Sequence, residues 1–410
     1  MNYIKRHMEE QIVELSKTWP AILLTGPRQS GKTTMLKNIA KRENIGREYV
    51  SLDDLTLREM AKNDPKMFLQ LHRPPILIDE VQYAPELFTY IKIHIDGHHN
   101  PGDFWLTGSQ VFRLMQGVQE SLAGRVALLH MSPLSQRELT GMVNRPFTTD
   151  FYKLAADSKM FDSPLTTPEL FKRIWEGSMP GLASGAYADR NVFYSSYLST
   201  YIERDVRELS GAIDALKFSK FITAAAARTS QLVNYKAMAD DADIDQVTAK
   251  AWLGILETLG IVFLLHPYSN NVLKRTIKTP KLYFYDTGLV CYLTKWSSPE
   301  VAESGAMSGA LLENFTVSEI MKSYQNAGKE PYLNYYRDKD AREIDVIIEG
   351  DGKLCPLEIK KTATPDRRII RTFSLIEKSP LVIGTSAVLC MTDQLGAFDS
   401  DNLIVPIWMI

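Results

Sequence analysis

The amino-acid sequence predicts an α/β protein of several units that opens with a parallel sheet covered by helices. Two observations carry this. Residues 21–25 form a short apolar run that stops at Gly26, and residues 32–41 then repeat apolar side chains at helical spacing through Met35, Leu36 and Ile39. Further apolar runs at 48–52, 75–78, 104–107 and 126–129 alternate with helix-length segments, the pattern of parallel strands linked by crossover helices.

At 410 residues the chain is long enough for two or three domains, and the first unit is expected at residues 1–140. Residues 141–215 read as a helical lid or connector, with WEGSMPG at 175–181 as a turn and an amphipathic stretch rich in Tyr and Arg at 192–209. Helical segments at 216–228, 235–241 and 245–259 precede two strand-like runs at 262–266 and 281–285, which makes residues 216–290 a winged helix-turn-helix. A second α/β unit is expected at 300–410, with a helix at 311–321 and strands at 332–336, 344–348, 354–359 and 381–391.

Composition narrows the function classes. Hydrophobic residues make up 45% and charged residues 23%, the balance of an ordinary globular protein. Lys plus Arg total 47 against 49 for Asp plus Glu, so attraction to nucleic acid must come from a local patch and not from the whole-molecule field. Three cysteines, Cys291, Cys355 and Cys390, with no CxxC pair, argue against a disulfide framework or a Cys-rich zinc site. No apolar run has signal-peptide or membrane-span character, so a reduced, cytoplasmic location is expected.

GPRQSGKT at 26–33 fits GxxxxGK[ST] between an apolar strand and a helix, the context the motif requires. The glycines let backbone N–H groups turn toward phosphate oxygens, Lys32 reaches the β- and γ-phosphates, and Thr33 offers its hydroxyl to Mg²⁺. Gly26, Pro27, Arg28, Gln29, Ser30, Gly31, Lys32, Thr33 and Thr34 are therefore the expected ATP ligands. ILIDE at 76–80 is an apolar strand ending in two carboxylates: Asp79 for the metal, Glu80 to polarise the attacking water. FWLTGSQ at 104–110 supplies Ser109 or Gln110 as a γ-phosphate sensor, and Arg125 or Arg204, from the same chain or a neighbouring copy, is the candidate arginine finger.

GPRQSGKTT, the strand ending in DE, LTGSQ, SLAGRV, MSPLSQREL, YIERDV and KLYFYDTGL together resemble a prokaryotic family of AAA-type ATP-binding proteins whose C-terminal region is a domain of unknown function. The resemblance spans nearly the whole chain. It implies an AAA-type core, a winged helix and a restriction-endonuclease-like C-terminal fold, without a cellular role.

The winged helix offers mixed signals for DNA. Its candidate recognition helix carries one lysine, Lys250, and the approach to it carries Asp240, Asp241, Asp243 and Asp245, which oppose a phosphate backbone or serve as helix caps. Lys274, Arg275, Lys278 and Lys281 would give the wing a positive edge. In the last unit Glu313, Asp345, Glu358 and Lys360 follow the E…D…ExK order of restriction-endonuclease-like nucleases. Period-two alternation puts Glu358 and Lys360 on one face, with Leu357 and Ile359 on the other. Glu313, Asp345 and Glu358 are then the expected metal ligands, with Lys360 beside the metal-bound water. The sequence thus points to an ATP- and Mg²⁺-dependent ATPase acting on branched or single-stranded DNA, or on DNA-bound complexes. The alternative is an ATP-controlled switch that docks a protein partner and carries an inactive nuclease-like domain.

Overall fold

The computed structural model describes residues 3–108, 122–161, 164–210, 214–269, 279–377 and 379–410. Strands β1 (Ala21–Thr25), β2 (Glu48–Ser51), β3 (Ile76–Asp79), β4 (Phe104–Thr107) and β5 (Val126–His130) form one parallel sheet in the order β2-β3-β4-β1-β5. β1, β3 and β4 are buried along their whole length, which is why they read as unbroken apolar runs. Alternate residues serve opposite faces. Leu23, Ile78 and Leu106 pack with Phe68, Phe88 and Ile91 on one side, while Ile22, Leu24 and Trp105 pack with Met35, Leu36 and Ile39 on the other. Because β4 lies between β1 and β3, its C-terminal residue Thr107 stands between the phosphate loop and the carboxylates of ILIDE.

Past the sheet the chain is helical. Arg190–Tyr197, a π-helical turn at Leu198–Ile202 and Glu203–Ser210 run on without a break. Helices Ala215–Ala226, Tyr235–Ala242 and Gln246–Thr258 follow, each opened by a side-chain cap from Asp214, Asn234 and Asp245. They lead into an antiparallel ribbon of β6 (Val262–Leu265) and β7 (Lys281–Phe284). Two sequence motifs prove to be one packing unit here. Asp286 of YDTGL accepts from the Tyr194 hydroxyl at 3.0 Å and from the backbone N–H of Gly288 and Ser178. Gly177 of WEGSMPG, at φ +83°, leaves no room for a Cβ against that Tyr194–Asp286 pair.

The C-terminal sheet is mixed. It holds β8 (Leu333–Arg337), β9 (Glu343–Gly350), β10 (Lys353–Lys360), β11 (Val382–Ile383), β12 (Ser386–Cys390), β13 (Gly396–Asp399) and β14 (Asn402–Pro406). The path is β13-β14-β12-β10-β9-β8, with β11 also paired to β10. The single strand expected at 381–391 is two. β11 pairs with the start of β10 and β12 with its end, and the register between the two pairings slips by one residue, which Gly384 and Thr385 absorb. Helix Ser308–Gln325 packs against β7 and β10, and one apolar core joins Phe171, Phe218, Tyr283, Phe315, Leu357 and Val405 across the middle region and this sheet. Among the described residues no helix is long and apolar enough to cross a membrane.

A candidate nucleotide site and a second carboxylate cluster

The phosphate loop follows β1 and opens helix Lys32–Glu43. Gly26 takes φ +139°, where a Cβ would overlap the Met131 carbonyl oxygen, and Gly31 takes φ +93° at the helix start. Only glycine meets both demands. Arg6 clamps the loop from outside: its guanidinium donates to the carbonyls of Ser30 at 2.7 Å and Ser132 at 2.8 Å and to Glu138 at 2.9 Å. Lys32 is buried and donates to the carbonyls of Gly26 and Pro27, both at 2.9 Å. Burial pushes its ammonium down to about 8, with Arg28 adding to the effect and Glu80, Asp79 and Asp205 opposing it.

Beside the loop, the Thr33 hydroxyl donates to Asp79 at 2.9 and 3.0 Å, Tyr49 donates to the same carboxylate at 3.1 Å, and Thr107 donates to it as well. Glu80 takes a left-handed conformation, φ +56°, and accepts from Gln82. Arg28 reaches away from the loop to a bidentate pair with Asp205, at 2.7 and 3.0 Å, and its remaining terminal nitrogen lies 3.8 Å from Glu80. Lys32, Thr33, Asp79, Glu80 and Arg28 therefore meet at the C-terminal end of the sheet. His130, at the end of β5, is held neutral: burial and then the Lys32 charge push it down to about 4.

The remaining expected residues are placed differently. Arg125 precedes β5, whose first residue pairs with Ala21 at the start of β1, so it sits at the opposite end of the strands from the loop. There it is partly exposed and pairs with Asp96 at 2.5 Å, which excludes it as a finger for its own chain's site. Ser109, Gln110 and the expected wing residues Lys274, Arg275 and Lys278 lie outside the described residues, as does the side chain of Arg204. Sequence reasoning missed Thr107, Tyr49, Gln82 and Asp205. Thr107 had a signal, since it ends the very strand from which Ser109 and Gln110 were drawn. On the helix side of the loop, a cavity of about 470 Å³ is lined by Tyr3, Ile4, Ser30, Thr34, Pro180 and Tyr187, among others.

The C-terminal carboxylates gather around two lysines. Lys281, on β7 and 2% exposed, donates to Glu313 at 2.6 Å and Glu343 at 2.7 Å. Lys360 donates to Glu358 at 2.7 Å and Asp345 at 3.3 Å, and Glu358 also accepts from Thr372. Among the described residues no three His, Cys, Asp or Glu side chains group closely enough to hold one metal ion. The expected three-carboxylate set is thus not assembled: Lys281 draws Glu313 toward Glu343, and Lys360 stands against Asp345 and Glu358. Lys281, read from the sequence as a wing cation, is a buried counter-ion instead.

Burial, then the Asp345 charge, pushes Glu358 up to about 8 and Glu313 up to about 7, with Lys360 and Lys281 respectively opposing. Burial would raise Asp345 too, but Lys360 and Lys281 outweigh it and hold Asp345 below the usual carboxylate range. A carboxyl protonated when folded and ionised when unfolded makes the folded state bind more protons, so stability falls as pH rises from 4.5 toward 8. His130 acts in the opposite sense, but only below its ordinary 6.5, and Lys32 opposes from about 8 upward. The melting temperature should therefore fall between about pH 6.5 and 8, and Glu358→Gln should flatten the fall. A wild-type melting temperature that rises across this window contradicts the proton assignment.

Residues 18–140 match the AAA domain family, residues 167–300 a domain of unknown function, DUF8612, and residues 308–410 another, DUF4143. The chain is homologous to the uncharacterised proteins Rv2008c of Mycobacterium tuberculosis and Mb2031c of Mycobacterium bovis. Each is 29% identical over 348 residues, which is 84% of this chain and 71% of theirs. Among solved structures, a Walker-type ATPase of Pyrococcus abyssi aligns over 71% of this chain and 96% of its own, at 16% identity and TM-score 0.45. A RuvB variant of Thermotoga maritima aligns over 62% and 88%, at 15% identity and TM-score 0.31. Residues 18–140 thus carry the match to an AAA-type P-loop domain, followed in the chain by matches to DUF8612 and DUF4143.

Proposed function

We propose that this protein is a Mg²⁺-dependent ATPase that uses hydrolysis to reposition its winged-helix and nuclease-like regions on DNA or a DNA-bound complex. The observation that carries the ATPase reading is the convergence of Lys32, Thr33, Asp79 and Glu80 at one end of the parallel sheet. ATP phosphates would draw Lys32 off the Gly26 and Pro27 carbonyls and satisfy the loop N–H groups. Thr33 and Asp79 offer hydroxyl and carboxylate oxygens, the donors Mg²⁺ takes, and would hold the ion directly or through water. When bound, the ion neutralises charge on the phosphate oxygens. Glu80 orients and polarises the attacking water. The cavity beside Thr34 suits the nucleoside, with Tyr3 and Tyr187 available to flank a base.

The three helices and ribbon at 215–284 support the winged-helix reading, and Asp345, Glu358 and Lys360 on neighbouring strands support the nuclease-like one. A second reading, in which a protein partner is docked, has its own observation. Val247, in the first turn of helix Gln246–Thr258, is 80% exposed, while Asp241 and Asp243 pair with Arg228 and Lys217. An exposed valine at a helix start suits an apolar contact better than a phosphate backbone.

The test is ATP turnover by the full chain with single-stranded, double-stranded or branched DNA, at two salt concentrations. Stimulation by one DNA form that weakens steeply with salt supports the DNA reading. Turnover unaffected by every DNA form moves the target to a protein, and no turnover at all removes the ATPase reading.

A further inference from the structure

We propose that Arg28, a member of the phosphate loop itself, is the arginine that meets the γ-phosphate during hydrolysis, and that Asp205 positions it from helix Glu203–Ser210. This rests on the ATPase reading above and names a residue for the role that the sequence assigned to Arg125 or Arg204.

The geometry is specific. The Arg28 side chain is 11% exposed, and two of its three nitrogens, Nε and Nη2, are committed to the two oxygens of Asp205. A bidentate pair of this kind fixes the plane of the guanidinium as well as its position. Asp205 is itself buried, and Tyr201, in the π-helical turn just before that helix, brings its ring to 5.8 Å from the guanidinium carbon. The plane so fixed turns Nη1 toward Glu80, 3.8 Å away, with Tyr83 close by. Lys32 lies near enough for the Arg28 charge to act on it. A γ-phosphate held by Lys32 and attacked by water resting on Glu80 would therefore lie within reach of Nη1.

Hydrolysis forms a bond from the water oxygen to the γ-phosphorus and breaks the bond to the β–γ bridging oxygen, whose electron pair leaves with ADP. The water proton passes through Glu80 to the released phosphate. Negative charge grows on the transferring group and on the bridging oxygen, and a preorganised guanidinium stabilises it there without first having to reorient. The supporting carboxylate comes from outside the sheet domain. Gly260, in the turn after helix Gln246–Thr258, also packs directly on Pro27 of the loop and on His130, so the middle region braces the loop at two points.

The experiment measures single-turnover hydrolysis, ADP affinity by calorimetry and thermal melting for full-length wild type, Arg28→Ala, Arg28→Lys, Asp205→Asn, Arg28→Ala/Asp205→Asn and Glu80→Gln. Arg28→Ala should hydrolyse roughly 100- to 1,000-fold more slowly while its affinity for ADP, which lacks the γ-phosphate, stays within about threefold. Asp205→Asn should lose about tenfold, and the double variant should be no slower than Arg28→Ala alone, because Asp205 acts only through Arg28. Added guanidinium should restore part of the Arg28→Ala rate and none of the Glu80→Gln rate. Should Arg28→Ala fail to melt cooperatively, Arg28→Lys carries the test: it keeps the charge but cannot bridge Asp205 and a phosphate, so its rate should still fall. An Arg28→Ala rate within about threefold of wild type, beside an inactive Glu80→Gln, overturns the proposal and leaves the ATPase reading standing. Additive losses in the double variant overturn the role of Asp205, and a wild type that does not hydrolyse ATP removes both the proposal and the reading beneath it.

Discussion

Glu80→Gln is expected to bind ATP with near-native affinity and to turn it over at least about 1,000-fold more slowly, whereas Lys32→Ala should fail to bind ATP at all. On the proposed reading, Asp79 at the end of β3 and Glu80 just past it have separate work. Asp79 is held by the hydroxyls of Thr33, Thr107 and Tyr49, the surroundings of an ion ligand, while Glu80 turns away through its left-handed backbone toward Arg28 and Gln82. Gln at position 80 keeps the size and one acceptor oxygen but cannot take a proton, so what it removes belongs to the transition state and not to binding. Lys32 is different. Its buried ammonium already sits on two loop carbonyls, and without it the loop loses the cation that reaches both the β- and γ-phosphates, since Arg28 is tied to Asp205. Calorimetry with ATP and a phosphate-release assay separate the two effects, and a Lys32→Ala protein with wild-type affinity would show that the loop does not bind the triphosphate.

The candidate phosphate site was legible because its determinants are local. A strand, two glycines in left-handed conformations and a lysine lie within a dozen residues, and each is required by backbone geometry that few other residues meet. Thr107 was half legible, since its strand was recognised but the choice of Ser109 or Gln110 overlooked the residue that reaches Asp79. Asp205 was not legible at all. It stands 177 residues from Arg28, and nothing in the local sequence of an amphipathic helix marks which acid faces inward. The C-terminal cluster failed in the same way. The order of Glu313, Asp345, Glu358 and Lys360 is visible along the chain, but the cation at its centre comes from β7, where a lysine among other basic residues looked like part of a solvated edge. Long-range pairings that decide electrostatics leave no periodic trace, whereas burial of the strands does.

Lys281→Ala should destabilise the protein by about 3 kcal/mol in denaturant unfolding, an effect that Glu313→Gln placed in the same chain should largely reverse. The lysine is nearly inaccessible and stands between Glu313 and Glu343, with Asp345 near enough to raise Glu313 further. Removing it leaves two carboxylates facing each other beside a third, so that one must take up a proton or stay charged without a counter-ion, and the loss comes from that and not from the missing pair itself. Glu313 and Glu343 keep about a fifth of their side chains exposed, which places the loss at the low end of the range for a broken buried pair. Glu313→Gln removes the most strongly affected charge while keeping an acceptor for the Tyr283 hydroxyl, which donates to Glu313 at 2.7 Å. If the double variant is less stable than Lys281→Ala, the lysine acts through the packing of its methylene stem, and the electrostatic account of the cluster is wrong. If it recovers, Lys281 is the resident cation of the C-terminal site, and any divalent ion that binds there must first displace an ammonium supplied by the middle of the chain.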